Sequence, residues 1–163
     1  MQEGLDIRYT EENDLLFLQK WVQDPKVLHW FPMTKELEIE EALRCWIGFH
    51  RYFCSLTAVI QGVPCAVGTL FLMPYKKVSH YALFKMVVNP DLQRQGIGSD
   101  LLKNLIHLAK NYFHLEKIGI EVFEGNPIIH LLKKQGFQEV FRHEGYVKIE
   151  EQFFARLYME RVL

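Results

Sequence analysis

The chain has 163 residues, 49% hydrophobic and 24% charged, a balance that suits one globular core and excludes disordered, collagen-like and low-complexity classes. Lys and Arg number 19 against 20 Asp and Glu, a formal net charge of -1; no broad basic field is available for nucleic acid or anionic lipid, so any bound anion must be held by local geometry. The expectation is a single domain over residues 1–163, cytoplasmic: residues 1–10 carry Glu3, Asp6 and Arg8 rather than an apolar leader, and no run approaches the roughly 18 apolar residues of a membrane span.

Leu5–Tyr9 alternates as a short strand, and the polar run Thr10, Glu11, Glu12, Asn13, Asp14 can satisfy the free amides of a helix start. Leu15, Leu18, Trp21 and Val22 follow helical spacing, and Asp24-Pro25 predicts the end of that helix, because a residue before proline is pushed out of the helical region. A second helix begins near Thr34, with Leu37, Ala42, Cys45, Trp46 and Phe49 on one face and Glu36, Glu40, Glu41 and Arg44 toward water. Residues 54–60, a Gln61-Gly62 turn and residues 64–73 predict two antiparallel strands. Tyr81–Val88 is a third apolar run, closed by Asn89-Pro90. A helix follows over residues 96–112, its buried stripe formed by Ile97, Leu101, Leu105, Leu108 and Tyr112. Lys117–Phe123 predicts a strand, residues 127–135 a short helix stopped by Gly136, and residues 137–163 two strands joined near Glu150-Glu151. Cys45, Cys54 and Cys65 are odd in number and lack C-x-x-C spacing, which predicts buried free thiols; neither they nor the histidines show metal-site spacing, so no metal is expected.

The segment 87–100 runs from a strand through a tight turn into a helix. Amides at a helix start point one way, and Gly96 and Gly98 let backbone approach an anion without an intervening Cβ, so a pyrophosphate can sit there. The bland alternative is a glycine-capped helix start with no ligand. A nucleoside-triphosphate loop needs Gly-Lys-Ser/Thr, but Gly98 is followed by Ser99-Asp100. A dinucleotide fold wants a third glycine where Leu101 stands and its glycines directly after the strand, whereas seven residues separate Val88 from Gly96.

Gln93-x-x-Gly96-x-Gly98 after Val88-x-Pro90 resembles the acetyl-CoA motif of the GNAT acetyltransferases, Q/R-x-x-G-x-G/A. The resemblance covers nearly the whole chain: Pro64-x-x-x-Gly68, Asn126 and Gly136-Phe137 fall in the family's usual order, and Ile7-Arg8 with Asp14 is similar to its usual beginning. With Trp21-x-x-Asp24-Pro25 and Trp30, the chain resembles the branches that acetylate protein N-termini, including the ribosomal-protein alanine/serine branch, and those that acetylate aminoglycosides and other small amines. The resemblance implies an α/β (α+β) fold, a mixed, mostly antiparallel sheet of about seven strands flanked by about four helices. It also implies acetyl-CoA as co-substrate, with direct attack by a primary amine in a ternary complex. Met86, Val87 and Val88 would offer backbone to the pantetheine arm, and Gln93, Arg94, Gln95, Gly96, Ile97, Gly98 and Ser99 would hold the pyrophosphate. Asn126 would sit near the thioester end, a role compatible with simple capping of the helix that follows.

Glu121 matches the position of a catalytic glutamate in the similar ribosomal-protein alanine acetyltransferases. Burial in a central strand would suit it as a base, while Lys117 or Arg142 could tie it into a structural ion pair instead. His80 and Tyr81 are the second choice. The family's usual acid, a tyrosine four residues before the glycine of Gly-Phe, falls on Leu132, which leaves Tyr146, Tyr158 or water, or an acyl-CoA-binding module with little turnover. Residues 27–33 form an aromatic stretch able to wall an acceptor or close the core. Glu36, Glu38, Glu40 and Glu41 either attract a polyamine or basic N-terminus, or form a solvated face. The expected partners are therefore a small amine or protein N-terminus, with neither nucleic acid nor membrane, and acceptor choice rests with loops of this domain or with a second copy beside it.

Overall fold

A computed structural model describes residues 4–163; Glu3 of the opening segment lies outside them. Seven strands, β1 (Leu5–Tyr9), β2 (Ser55–Ile60), β3 (Val63–Leu72), β4 (Tyr81–Val88), β5 (Lys117–Phe123), β6 (Gln138–Ile149) and β7 (Gln152–Val162), form one sheet in the order β1-β2-β3-β4-β5-β7-β6. Five α-helices accompany it: α1 (Leu15–Gln23), α2 (Pro25–Leu28), α3 (Glu36–Ile47), α4 (Ile97–His107) and α5 (Ile128–Lys134). Every neighbouring pair is antiparallel except β4 and β5, whose connection carries α4 across the sheet, as a parallel pairing requires. This is the mixed, mostly antiparallel architecture that the resemblance implied.

Strand alternation gives the sheet two apolar faces. On one, Phe84, Ile118 and Ile120 pack with Leu101, Leu105 and Leu132 beneath α4 and α5. On the other, Val67 and Val87 pack with Leu18, Trp21, Leu43 and Trp46 from α1 and α3. Gly68 sets how closely α4 approaches the sheet, because a Cβ there would collide with Leu105 and press on Leu101 at 3.4 Å. A buried polar seam fastens α1 to the sheet. The Asp14 carboxylate accepts from both Arg8 guanidinium nitrogens (2.8 and 2.9 Å), the Glu11 amide (2.9 Å) and the Thr57 hydroxyl (2.8 Å).

Four sequence expectations are corrected. Asp24-Pro25 ends α1 but also opens α2: Asp24 Oδ1 accepts from the Lys26 amide at 2.9 Å, and Pro25 takes the first helical position, where its missing N–H costs nothing. The buried residues of α3 are Ile39, Leu43, Trp46 and Ile47, a true i, i+4, i+7, i+8 stripe, while Leu37 is 68% exposed. Tyr112 leaves the α4 stripe because the chain widens into a π-turn over Leu108–Tyr112, with the Phe113 amide donating to Leu108 O at 3.2 Å; Tyr112 is consequently exposed. Cys54 and Cys65 are buried, and burial pushes each thiol up to about 11. Cys45, on the outer side of α3, is exposed. Among the described residues no helix is long and apolar enough to cross a membrane.

Candidate active site

β4 and β5 pair only at their beginnings, Tyr81 with Lys117, Ala82 with Ile118 and Leu83 with Gly119. Beyond those pairs each strand keeps its other partner: Met86, Val87 and Val88 stay in register with Gly68, Val67 and Ala66 of β3, and Ile120 to Phe123 with β7. The strands therefore diverge and open a wedge in the sheet. The Asn89 amide donates to Cys65 O across β3 at 2.8 Å, so by the two-residue alternation Val87 directs its backbone groups to β3, and Met86 and Val88 direct theirs into the wedge. Gln93 reaches back to this edge, donating from Nε2 to Val88 O at 3.4 Å.

The wedge leads to the start of α4. Arg94 (φ 66°) and Gly96 (φ 88°) both adopt the left-handed conformation, which bends the turn so that α4 begins beside the end of β4. The first amide of this segment to bond back is that of Asp100, to Gly96 O at 3.1 Å. The amides of Ile97, Gly98 and Ser99 come before it, at the end of the helix where N–H groups lack intrahelical partners. A Cβ on Gly98 would meet Val88, Met86 and Leu131 at 3.4, 3.6 and 3.7 Å. Ordinary contact on that side means the missing side chain is not demanded by packing, and it leaves the turn bare toward the cleft.

A cleft of about 860 Å³ joins the wedge, the turn and the α2 loop. Met86, Val87, Val88, Gln93, Arg94, Gly96, Gly98, Ser99, Glu121 and Asn126 all line it. Ile97 instead packs into the core below the turn, and Gln95 is exposed and outside the cleft lining. Asn126 caps the entry to α5, its Oδ1 accepting from the Ile128 amide at 3.0 Å, while its side-chain NH₂ donors remain for the cleft.

Glu121 is not buried: its side chain is 47% exposed, because the neighbour that would cover it on a closed sheet has swung away. Nor do the expected partners reach it. Lys117 bonds Glu160 at 3.1 Å, and Arg142 is held by Glu124 and Glu144. Its partner is Arg156, 3.3 Å away, the diagonal neighbour on β7, since Glu121 stands opposite Tyr158. His80 and Tyr81 are outside the cleft lining. The Tyr81 hydroxyl meets that of Tyr158 over Gly119, whose absent side chain makes room for the pair. Burial, with the other phenol and nearby carboxylates adding to it, drives the Tyr81 pKa far up, and burial also raises that of Tyr158. Leu132 is fully buried; α5 brings Ile128, His130, Leu131 and Lys134 to the cleft, and of these only His130 and Lys134 carry a proton to give. Of the two alternative tyrosines, Tyr146 lines the cleft, with the Arg156 guanidinium 4.0 Å from its ring centre.

Apart from Arg94, sequence reasoning missed the basic lining. Lys26, Lys85, Arg94, Lys134 and Arg156, with His130, face one carboxylate, Glu121. The signal was available for Lys85 and Arg156, which break apolar runs at alternate strand positions on the Glu121 side. Lys85 places its ammonium 5.4 and 5.9 Å from the ring centres of Phe71 and Trp46. Desolvation by those walls lowers its pKa, with Glu121 opposing the shift. A free β-edge, a run of unpaired amides and flanking cations form a cradle that fits the amide-rich arm and the pyrophosphate of coenzyme A.

The sequence matches the acetyltransferase (GNAT) family model over residues 15–137. It is 28% identical over 109 residues to the L-amino acid N-acetyltransferase AaaT of Escherichia coli K12, covering 66% of this chain and 67% of that protein. The fold resembles the ribosomal-protein-alanine N-acetyltransferase of Brucella melitensis, with TM-score 0.80, 21% identity, and 97% and 99% of the two chains covered. It also resembles YncA of Salmonella typhimurium, solved with its cofactor acetyl-CoA, at TM-score 0.79 and 17% identity over 98% and 94% of the chains. The wedge, the glycine turn and the family match agree: the chain belongs to the GNAT family and is an acetyl-CoA-dependent N-acetyltransferase.

Proposed function

We propose that this chain, acting as one catalytic domain, moves the acetyl group to a primary amine of a small molecule or protein N-terminus by direct attack within a ternary complex. The observation that carries this reading is the unpaired β4 edge running without a break into the α4 turn. Acetyl-CoA, when bound, supplies a thioester whose acyl carbon is the electrophile. Met86 and Val88 bind the pantetheine arm by backbone groups, and an amide of the same edge receives the acyl oxygen. The turn from Gln93 to Ser99 holds the pyrophosphate, with Arg94 adding charge. Asn126 fixes a water or the arm through its NH₂ group. Glu121 takes the amine proton, alone or through one water. Tyr146, the tyrosine in the cleft lining, returns a proton to the departing sulfur, the task that Leu131 and Leu132 cannot perform. The glutamates of α3 take no part: Glu38 is committed to the helix start, accepting from the Thr34 and Lys35 amides at 2.8 and 3.0 Å, and the cleft lining includes none of Glu36, Glu38, Glu40 or Glu41.

The test is calorimetry with CoA beside thiol release over a panel of amines, on the natural sequence and on Gly98→Val. The branched side chain intrudes on the turn at a position whose inner side tolerates a Cβ. CoA affinity should fall by about tenfold or more with little change in thermal stability. Unchanged affinity would remove the turn from the site, and preference for adenine or nicotinamide dinucleotides over CoA would end the reading.

A further inference from the structure

Resting on the acetyltransferase reading, we propose that the acceptor amine carries a carboxylate, and that Lys85 and Arg156 anchor it at the acceptor end of the cleft. Three charged side chains line this part of the wall: Lys85, Glu121 and Arg156. Glu121 and Arg156 lie 3.3 Å apart and compensate one another. Among the described residues Lys85 has neither an ion pair nor a hydrogen bond; its neighbours are the faces of Phe71 and Trp46. The two aromatic faces cover one side of the ammonium and stabilise it only in part, while the residue itself stays exposed and open to a solute. The nearby carboxylates are already engaged, Glu160 with Lys117 and Glu124 with Arg142 and the Ala155 amide. Lys85, Glu121 and Arg156 together leave the wall with one net positive charge, beside the carboxylate assigned to take the amine proton.

The sign of that charge decides between acceptor classes. A polyamine or aminoglycoside would bring further cations against Lys85 and Arg156. A zwitterionic amino acid brings no net charge: its ammonium is drawn to Glu121 and its carboxylate to the two cations. The substrate carboxylate matters more as the reaction proceeds: once Glu121 has accepted the amine proton it is neutral, Arg156 loses its partner, and the substrate carboxylate is the one anion left facing the two cations. Lys85 in this reading is a specificity-determining residue, remote from bond making.

The experiment compares a panel of α-amino acids, each with its own carboxamide and its own decarboxylated amine, which keep the reacting nitrogen and side chain and delete the negative charge. Turnover is measured, and binding to the CoA-loaded protein is followed separately by saturation-transfer NMR. At least one amino acid should be acetylated with kcat/KM about tenfold or more above its amide and amine, the discrimination expected of a charged hydrogen-bonded contact. Lys85→Met should raise KM for that acid and erase the discrimination while kcat stays within about threefold; Lys85→Arg should preserve it. Equal or better turnover of the uncharged analogues overturns the proposal, as does a Lys85→Met protein that still discriminates, or failure of every amino acid to bind the CoA-loaded protein. Failure of CoA itself to bind would instead strike the acetyltransferase reading, and the proposal with it.

Discussion

Glu121 shows how a residue can be read correctly for place and wrongly for surroundings. Its position on β5 was legible, because the β-branched and aromatic run Lys117–Phe123 reads as a strand. Its exposure was not, since that depends on β4 leaving the sheet after Leu83, a tertiary event. Its ion pair escaped notice for the same reason: Arg156 comes 35 positions later in the chain and meets Glu121 only through the β5–β7 register. The pairing with Arg156 makes the roles of base and salt-bridge partner separable by experiment. Glu121→Gln keeps the side chain's size and deletes its ability to accept a proton, so kcat should fall by about 100-fold or more, within the range for a lost general base, with CoA affinity unchanged. Because the pair is half exposed, its removal should alter stability by less than about 1 kcal/mol. Full activity combined with a marked loss of thermal stability would make Glu121 a structural residue.

At the scale of elements, local chemistry named most of the fold. β1, β4 and β5 occupy the predicted spans, and β2, β3, β6, β7, α4 and α5 begin within one residue of them. What resisted was phase and punctuation. Proline at 25 both ends one helix and starts the next, and the π-turn after His107 rotates Tyr112 out of a stripe that regular helical spacing would bury. The polar run before α1 was recognised as a helix start, but only the folded chain shows it joined to the sheet through Arg8, Asp14 and Thr57. Burial alone would raise the Asp14 pKa; bonds from Arg8, the Glu11 amide and Thr57 outweigh it, and the folded-state value is lowered. The seam therefore contributes its full stability above the unfolded value of about 4 and loses it as pH falls through the lower folded value. Asp14→Asn should cost about 2–3 kcal/mol near neutrality, leaving Arg8 with only the more exposed Glu11 carboxylate, 4.0 Å away. Denaturant titrations from about pH 7 down to about pH 3 should show the difference between variant and natural sequence shrinking toward the acid end. A constant difference across that range would mean that shape, not charge, fastens α1 to the sheet.

For the molecule as a whole, a net charge of -1 conceals a strong internal asymmetry, five basic side chains to one carboxylate around the cleft and the acidic excess elsewhere. Such a layout allows a polyanionic co-substrate to bind without a field that would gather nucleic acid. It also divides the binding energy between two kinds of contact. The amides of the β4 edge and the α4 turn act at hydrogen-bond range and are nearly blind to salt, whereas Arg94, Lys134 and Lys26 act partly through solvent. Raising salt from 0.1 to 1 M shortens the screening length from about 10 to about 3 Å, so the dissociation constant for CoA should rise by about three- to tenfold, measured by calorimetry at constant pH. A rise of about a thousandfold or more, of the kind that follows neutralisation of many phosphates, would show that diffuse charge holds the cofactor and that the oriented amides have the smaller part. No change at all would remove the basic lining from cofactor recognition and leave the backbone to hold the pyrophosphate unaided.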